Sequence, residues 1–229
     1  MNPPKFIVIE GVDGSGKETQ AKLLVTHLEN TGKPVMYLDF PQYESFYGEI
    51  IAKYLRGEFG NIDQISPYLV SIVYALDRST IRDKIQSFLD EGGFVVANRY
   101  VPSNMAHQAA KITDPTKRTE FIMWIAQLEY DQLKLPHEDV VLYLDLPWEI
   151  GMKKSEEKHK NGEGHNYLQG QLDIHEESVN HRIQTDLVYR QLKELYHHWH
   201  FVNCTDRKGE QRPIEDIHQK ILSLLELSV

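Results

Sequence analysis

Apolar residues follow two patterns that alternate along the chain. Short runs rich in Val, Ile, Leu, Phe or Tyr predict β-strands at Phe6–Glu10, Val35–Phe40, Phe94–Asn98, Val140–Leu144 and His200–Asn203. Between these runs, apolar residues recur at three- and four-residue spacing, which is typical of helices with one buried face. Strands that are apolar throughout, with connections much longer than a hairpin, favour a parallel sheet. We therefore predict an α/β fold, a doubly wound five-stranded parallel sheet with helices on both faces.

Glycine and proline mark where the helices begin and end. The first helix ends at Asn30-Thr31-Gly32, and Ser66-Pro67 begins a long helix that we predict to reach Asp90. The polar, glycine-containing segment Lys153–Gln171 breaks the helical period, so it predicts either a solvated loop or a mobile lid. No repeat or low-complexity linker interrupts the chain, and we predict one domain over residues 1–229.

Composition and charge restrict the possible partners. The chain has 25 Lys+Arg against 34 Asp+Glu, a net charge of −9, so we expect no general attraction to nucleic acid or to an anionic membrane. Cys204 is the only cysteine, which excludes an internal disulfide or a multi-cysteine zinc site and is typical of a reducing compartment. No apolar run approaches the ~18 residues that a membrane span needs. We expect a cytoplasmic protein.

The stretch GVDGSGKETQ, which starts at Gly11, nearly matches a phosphate-binding loop. Its glycines, Gly11, Gly14 and Gly16, let the backbone approach a polyphosphate, and the amides from Ser15 onward point at the phosphate oxygens. Lys17 adds a mobile cation. The strand before the loop and the amphipathic helix TQAKLLVTHL after it supply the context of a P-loop.

The residue after the loop lysine departs from this motif. Glu18 stands where Ser or Thr is expected to help bind a metal ion. An anion beside a triphosphate is repulsive, so Glu18 must bind Mg²⁺ directly, turn toward solvent or weaken catalysis. Thr19 can supply the hydroxyl expected at position 18 only if the loop shifts by one residue relative to the helix. Asp13 is the second acidic residue of the loop and can reach a metal ion or a sugar hydroxyl.

Two further groups of residues are candidates for binding a ligand. Tyr74 and Arg78 lie four residues apart in the predicted long helix, so they share one face and suit a base that is stacked and hydrogen-bonded. The alternative is a core tyrosine beside a surface Asp77-Arg78 pair. The stretch NRYVPSNMAHQAAK places Arg99 at a strand end. The helix that follows begins with four polar residues: Ser103, Asn104, His107 and Gln108. These residues either bind a ligand or only cap the helix.

Taken together, these stretches resemble thymidylate kinases, P-loop enzymes that phosphorylate dTMP with ATP. The resemblance covers almost the whole chain, in the order GVDGSGK, FPQY, YALDR, NRYVPSN-x-AHQ, a lid, DIHEE and a final strand and helix. It implies the P-loop NTPase fold, with a short lid at about 153–171. It also implies Mg²⁺ as the cofactor, ATP and dTMP as the ligands, and a homodimer.

The resemblance implies a role for each candidate residue. The residues expected to bind ATP are Gly11, Gly14, Ser15, Gly16, Lys17, Glu18, Thr19, Asn203, Cys204 and Thr205. Those expected to bind dTMP are Asp13, Phe40, Pro41, Tyr43, Tyr74, Arg78, Arg99, Ser103, Asn104, His107 and Gln108. Among these, Lys17, Arg99 and Asp13 would be catalytic. The lid would contribute Lys154, Lys158, Asp173 and Glu176, and the metal ion would be bound by Asp13, Glu18 and Glu176.

The sequence departs from the family in two further places and leaves other functions open. Asn98 replaces the usual aspartate before Arg99, and neither the loop nor the lid supplies the catalytic arginine of such enzymes, because Gly14 fills the loop position and the lid has only lysines. The alternatives are a kinase for another nucleotide or nucleoside, which His107 suggests, and a nucleotide-binding protein with impaired catalysis. Neighbouring side chains of a helix diverge, so His197, His198 and His200 predict no metal site.

Overall fold

The computed structural model describes residues 5–62, 64–161, 168 and 173–227, without the side chains of residues 158–160, 176 and 177. Its sheet has five parallel strands in the order β2-β3-β1-β4-β5. The strands are β1 Phe6–Gly11, β2 Val35–Asp39, β3 Phe94–Asn98, β4 Val140–Asp145 and β5 Trp199–Asn203. The predicted fold class is confirmed, and each predicted strand lies within one residue of the observed bounds.

Helices connect every pair of successive strands. Their bounds are α1 Lys17–Asn30, α2 Phe46–Leu55, α3 Pro67–Ser79, α4 Arg82–Asp90, α5 Val101–Ala109, α6 Pro115–Ala126, α7 Trp148–Lys160, α8 Ile174–Glu177, α9 Val179–Leu195 and α10 Ile214–Leu224. A π-helical turn, Gln127–Gln132, continues α6. Among the described helices, none has both the length and the hydropathy needed to cross a lipid bilayer.

The prediction of one long helix from Pro67 to Asp90 is wrong. The chain forms α3 and α4, with a break at Thr80 and Ile81. Just before the break, the Ser79 and Thr80 hydroxyls donate hydrogen bonds to the carbonyls of residues three positions earlier, at 2.8 and 2.7 Å. Such side-chain bonds compete with the regular helical ladder. The apolar period continues across the break, so the sequence pattern gave no sign that the helix is interrupted.

The prediction that helical structure ends at Lys153 is also wrong, because α7 continues to Lys160. Lys and Glu favour helices although they are polar, and the apolar side chains of Trp148 and Ile150 hold the first turn of α7 against the core. Of the rest of the predicted lid, residues 162–167 and 169–171 lie outside the described residues.

Side chains on the two faces of the sheet build two separate cores. In β1, Phe6 and Val8 pack with residues of α5, α6 and α9 on one face, whereas Ile7 and Ile9 pack with residues of α1 and α10 on the other. This alternation follows from the two-residue period of a strand. The connection from β1 runs toward β2, whereas the connection from its neighbour β3 runs the opposite way to β4. The crevice beyond the carboxyl ends of two such strands is where ligands bind in these sheets.

Candidate active site

The glycine loop between β1 and α1 has the backbone geometry of an anion site. Gly14 and Gly16 have φ of 78° and 93°, in the left-handed region that favours glycine. Gly16 is the N-cap of α1 and no side chain caps that helix, so its first amides are available to an anion. Lys17 is buried, and its ammonium donates to the carbonyls of Gly11 and Val12 at 2.9 and 3.0 Å.

Asp13 joins the loop to Arg99 at the end of β3. The Asp13 carboxylate accepts a hydrogen bond from the Arg99 guanidinium and lies 3.6 Å from the Lys17 ammonium. Burial disfavours the carboxylate, but the charges of Arg99 and Lys17 outweigh burial and lower the pKa of Asp13. Arg99 itself has a φ of 67°, unusual for a residue with a side chain. This conformation is part of a sharp turn from β3 into α5.

Glu18 turns toward solvent. Its carboxylate accepts a hydrogen bond from the Lys22 ammonium one helical turn later, at 2.5 Å, and both side chains are largely exposed. Of the three arrangements expected from the sequence, this is the one in which Glu18 does not oppose a phosphate. Thr19 is also exposed, and the helix begins in the ordinary register at Lys17.

A cavity of about 800 Å³ opens beside this loop at the carboxyl ends of β1, β2 and β3. Every residue expected to contact dTMP lines it: Asp13, Phe40, Pro41, Tyr43, Tyr74, Arg78, Arg99, Ser103, Asn104, His107 and Gln108. Its volume lies within the range of small-molecule sites. The sequence stretches that we singled out separately are therefore brought together in one place.

Arg78 is not a surface residue but the centre of a buried hydrogen-bonded array. Its Nε and Nη2 donate to the two carboxylate oxygens of Glu129, both at 2.6 Å. The side-chain amide of Asn104 donates to the same carboxylate at 2.7 Å and to the Ser71 carbonyl at 3.1 Å. Among the described residues, nothing donates to the buried Asn104 Oδ1. The array thus fixes a guanidinium and an amide oxygen side by side on the cavity wall.

Glu129 had no sequence signal. It lies in the π-helical turn QLEYDQ, where half of the residues are Gln or Asp, yet it is fully buried. Burial raises its pKa, and the charge and hydrogen bonds of Arg78 oppose that rise. Helical turns of this kind are frequent at functional sites because the extra residue redirects a side chain. Only the tertiary structure places this carboxylate behind Arg78.

Glu10 is the second buried carboxylate that sequence reasoning missed. It accepts hydrogen bonds from the Tyr100 and Ser103 amides, the Ser103 hydroxyl and the Tyr189 hydroxyl at 2.7–3.1 Å. Burial raises its pKa, and the nearby charge of Arg99 opposes this. A single acidic residue at the end of the apolar run FIVIE was the available signal. Glu10 binds the first turn of α5 and thereby orients the polar side chains of that helix.

Asp39 occupies the cavity rim next to Asn98. The two residues are direct neighbours in the register of β2 and β3, and the Asn98 side-chain amide donates to Asp39 Oδ1 at 2.8 Å. Asp39 lines the cavity together with Asp13 and Glu18. A carboxylate is therefore present on the adjacent strand, although Asn98 lacks the one that is usual at its own position.

His107 faces the cavity from α5 beside Arg99, whose Nη1 donates to His107 Nε2 at 3.2 Å. Burial lowers the pKa of His107 well below its usual range, and the charge of Arg99 lowers it further. The imidazole is thus neutral at pH 7. Gln108, the next residue, is fully buried, and within the described part of the chain both atoms of its amide lack a partner. Gln108 is therefore a further polar group on this wall that a ligand can satisfy.

The residues expected to bind ATP after β5 lie apart from the cavity. Cys204 is fully buried, its amide donates to the Asp145 carbonyl at 3.0 Å and its own carbonyl accepts from the Arg212 amide at 2.8 Å. Burial raises the pKa of its thiol to about 12. Asn203 accepts hydrogen bonds from the amide and hydroxyl of Thr205. Cys204 therefore supports this turn from within the core and presents no side chain to a nucleotide.

Of the four residues expected in the lid, the structure describes the side chains of Lys154 and Asp173. Lys154 is a half-buried residue of α7, and the side chain of Lys158 lies outside the described residues. Asp173 is buried, caps α8 by accepting the His175 amide at 2.7 Å and lines the cavity. The side chain of Glu176 also lies outside the described residues, so its assignment to sugar or metal stays a prediction.

Comparison with known proteins identifies the family. The family model described as "Thymidylate kinase" matches residues 9–221. Thymidylate kinase from Plasmodium falciparum is 32% identical over 219 residues, covering 95% of this chain and 88% of that protein. Thymidylate kinase from Mycobacterium tuberculosis is 30% identical over 188 residues, covering 82% and 85%.

A solved structure agrees with the fold. Thymidylate kinase from Candida albicans superposes with a TM-score of 0.72 at 22% identity, covering 98% of this chain and 92% of that chain. At this identity the structural match supports the architecture alone. The family match instead spans the glycine loop, the cavity and α10. The chain therefore belongs to the thymidylate kinase family.

Proposed function

We propose that the glycine loop of this thymidylate kinase binds ATP, that the adjacent cavity binds dTMP, and that the γ-phosphoryl group passes between them to give dTDP and ADP. The array of Arg78, Glu129 and Asn104 carries this proposal, because it supplies a charged donor beside a neutral acceptor at the wall of a cavity next to a P-loop.

Thymine offers the complementary pattern to this array. Its O4 carbonyl accepts and its N3–H donates, so O4 can accept from the guanidinium of Arg78 while N3–H donates to Asn104 Oδ1. Glu129 holds both groups in place because it accepts from Arg78 and from Asn104. Tyr74 lines the same cavity and supplies an aromatic face for stacking. Cytosine presents an amino donor where thymine presents O4, and two donors facing each other leave buried groups unpaired.

The phosphate groups meet between the loop and β3. Arg99 carries the guanidinium that would bind the dTMP phosphate bidentately, while the amides of the loop and Lys17 would bind the ATP phosphates. The contact between Asp13 and Arg99 links these two halves directly. Phosphoryl transfer requires in-line positioning and neutralisation of charge on the transferred group. The acceptor phosphate is already anionic near neutral pH, so no strong general base is required of Asn98.

The residues at the rim fit a magnesium ion. Mg²⁺ prefers carboxylate oxygens and retains several waters, and three carboxylates line the cavity near the loop: Asp13, Glu18 and Asp39. We propose that Asp39 and Asp13 hold the ion through one or two oxygens, in the place of the carboxylate that Asn98 lacks. When bound, the ion neutralises charge on the phosphates. Glu18 pairs with Lys22 and is not needed as a ligand.

A coupled assay of ADP release with ATP and dTMP tests the proposed function. We expect activity in the unmodified chain, loss by at least about 100-fold in both Lys17→Ala and Arg99→Ala, and no change in Lys84→Ala, an exposed lysine of α4. Equal activity in all variants would contradict the assignment. Binding of both nucleotides without dTDP formation would instead indicate a protein with impaired catalysis.

A substrate panel tests the base and sugar assignments. Three other nucleoside monophosphates, dUMP, dCMP and UMP, and one nucleoside, thymidine, replace dTMP in the assay. We expect kcat/KM for dCMP to be lower than for dTMP by about 10³-fold or more, because the Arg78–Asn104 pattern is mismatched. dUMP presents the same base edge and is expected to react. A preference for dCMP, or for thymidine over dTMP, would contradict the proposed orientation.

We also propose that two copies associate through an apolar patch, defined as Tyr68, Leu69 and Met123 on α3 and α6. These side chains are 44%, 64% and 61% exposed. The Tyr68 ring packs on Phe121 and Trp124, with centroids 4.7 and 4.8 Å apart, so these two rings support Tyr68 from within the fold. The homodimer implied by the family resemblance requires a self-complementary surface, and this patch supplies the apolar part of one.

A further inference from the structure

We propose that this protein contains a transition-metal site of the Zn²⁺ class, formed by His107, His175 and His181 at the wall of the cavity. One potential ligand nitrogen from each imidazole lies within 4.8 Å of the other two. The three residues come from α5, α8 and α9. Their distance in the sequence gave no indication that they meet.

The three rings form one compact cluster. The centroids of His107 and His175 are 5.5 Å apart, those of His175 and His181 are 4.5 Å apart, and those of His107 and His181 are 5.7 Å apart. Three nitrogens in the first shell of a tetrahedral zinc ion, at about 2.0–2.1 Å from the metal, lie roughly 3.4 Å from one another. The nitrogen separations, which are at most 4.8 Å, therefore need to shorten by up to about 1.4 Å, which rotation of the rings can supply.

Two nitrogens of the cluster are buried without a partner. Within the described part of the chain, no group hydrogen-bonds to His107 Nδ1 or to His181 Nε2. His181 is only 5% exposed and His175 only 6%. Buried polar atoms normally have partners, because an unpaired one has lost its hydrogen bonds to water without replacement. A bound metal ion would satisfy both nitrogens at once.

The third imidazole already has the second contact typical of a metal ligand. His175 Nε2 lies 2.7 Å from the Tyr54 hydroxyl, and the Lys111 ammonium donates to the same hydroxyl at 2.5 Å. Histidines that bind a metal usually use their other ring nitrogen as a hydrogen-bond donor, which fixes the ring. In the proposed site, Nε2–H of His175 donates to the Tyr54 oxygen and Nδ1 faces the metal.

The number of lone pairs, and not the surrounding charge, distinguishes a metal ion from a proton at this cluster. A proton engages one imidazole lone pair, whereas a metal ion engages three. The positive charges of Arg99, Lys111 and Arg182 oppose any cation here, and the Asp13 carboxylate offsets part of that repulsion. Binding therefore depends on three metal–nitrogen bonds forming at once, which the compact cluster allows.

The donor set selects the kind of metal. Imidazole suits Zn²⁺ and Co²⁺, while Mg²⁺ prefers oxygen ligands. Two of the three histidines, His107 and His175, line the cavity, so the ion would lie at its wall, distinct from the carboxylate rim proposed for Mg²⁺. The ion would also link α5 to α8, the short helix that follows the predicted lid. The protein would therefore have separate sites for a hard and a softer divalent ion.

Calorimetric titration of Zn²⁺ and Co²⁺ tests the site without reference to kinase activity. The protein carries no histidine tag, is freed of transition metals and contains no nucleotide. The buffer contains millimolar Mg²⁺, so that the carboxylate rim is occupied during the titration. We expect one ion per chain. His107→Gln, His175→Gln and His181→Gln should each weaken binding by about 100-fold or more, and Tyr54→Phe by about 10-fold. The matched control is His200→Gln, an exposed histidine of β5, which should bind as the unmodified chain does.

Two outcomes would overturn the proposal: no saturable binding of either ion, or unchanged affinity in the three cluster variants. Circular dichroism establishes whether each variant is folded. If the variants unfold, X-ray absorption of the unmodified chain with one equivalent of Zn²⁺ counts the imidazole ligands directly. Three imidazole ligands support the site, and fewer than three overturn it. Failure of this test leaves the kinase assay unaffected, because that assay depends on Mg²⁺, Lys17 and Arg99.

Discussion

At the scale of single residues, two buried carboxylates organise the site although neither faces the substrates as a charge. Glu10 binds the first turn of α5 and Glu129 binds Arg78 and Asn104. A buried carboxylate is costly unless it is paired and hydrogen-bonded, and here each one accepts several bonds. These groups fix the orientation of the side chains that we propose to contact dTMP, so their substitution should affect recognition more than chemistry.

Replacement of Glu129 tests this role. In Glu129→Gln the Arg78 guanidinium loses its carboxylate partner and can leave its position on the cavity wall. We expect the KM for dTMP to rise by about 10-fold or more, with a smaller change in kcat, because binding of the base is shared by ground state and transition state. Glu138→Gln is the matched control, since Glu138 is buried but accepts its bond from Tyr130, outside the cavity proposed to bind dTMP. An unchanged KM in Glu129→Gln would contradict the role.

Asp39 is tested through the magnesium dependence of the rate. In Asp39→Asn one of the proposed metal-binding oxygens is replaced by an amide of nearly equal size. We expect the Mg²⁺ concentration that gives half-maximal rate to rise by about 10-fold, because a neutral ligand binds a hard cation more weakly. Asp90→Asn, an exposed aspartate at the end of α4, serves as control. If both variants match the unmodified chain, the ion is held elsewhere.

At the scale of secondary-structure elements, the contact between α7 and the glycine loop explains why residue 14 is a glycine. A Cβ at Gly14 would lie 2.2 Å from the carbonyl oxygen of Gly151, which is backbone and cannot yield. The loop therefore cannot carry an arginine at this position. The same contact places the first turn of α7 against the glycine loop, so this helix is a source of a replacement cation.

Lys154 is the residue of α7 that we expect to supply this cation. It is one turn after Gly151, hence on the same face of the helix, and it is half-buried, whereas Lys153 is exposed. We predict that Lys154→Ala lowers kcat by about 100-fold with little change in either KM, because the charge acts on the transition state. Steady-state kinetics of Lys153→Ala, expected to change by less than about 3-fold, provides the comparison. Equal effects would refute the assignment.

At the scale of the whole molecule, buried ionisable groups determine how stability varies at high pH. The hydroxyls of Tyr100, Tyr130 and Tyr143 are buried and donate to Pro136, Glu138 and Asp186 respectively. Burial is the largest cause that raises the pKa of each one well above its usual range, and burial raises the pKa of Cys204 to about 12. The native state therefore keeps protons that the unfolded chain releases.

The sign of the resulting pH dependence follows directly. For an acid whose pKa is raised by folding, stability is complete below the unfolded pKa, about 8.5 for cysteine and about 10 for tyrosine, and is lost above it. Each such group lowers the free energy of unfolding by up to about 1.4 kcal/mol per pH unit. We expect urea-unfolding midpoints to fall steeply above pH ~10. The fall should be shallower in Tyr130→Phe, and a midpoint that is constant to pH ~11 would contradict it.

The proposed dimer also belongs to this scale. Leu69→Glu places a charge in the apolar patch and should convert a dimer to a monomer, as measured by light scattering after size exclusion. Ile214→Glu is the matched control, because Ile214 is 47% exposed on α10, which covers the opposite face of the sheet. A monomer before substitution, or a dimer that survives Leu69→Glu, would show that the patch does not join two copies.

The sequence by itself determined the elements and the class of chemistry. Strand positions, the glycine loop and the residues at strand ends depend on local patterns: apolar periodicity, glycine where φ is positive, and the convergence of parallel strand ends. The helix break at Thr80 and the extension of α7 were missed because local hydrogen bonds and helix propensity leave the apolar pattern unchanged.

Only the tertiary structure decided which distant side chains meet. The pairing of Arg78 with Glu129, of Asp39 with Asn98, and of His107 with His175 and His181 joins residues of different elements. The adjacent histidines at positions 197, 198 and 200 were visible in the sequence, whereas the three that cluster were not. The physical reason is that a hydrogen bond or a metal ligand depends on distance in space, which a one-dimensional pattern does not specify beyond a few helical turns or one strand pair.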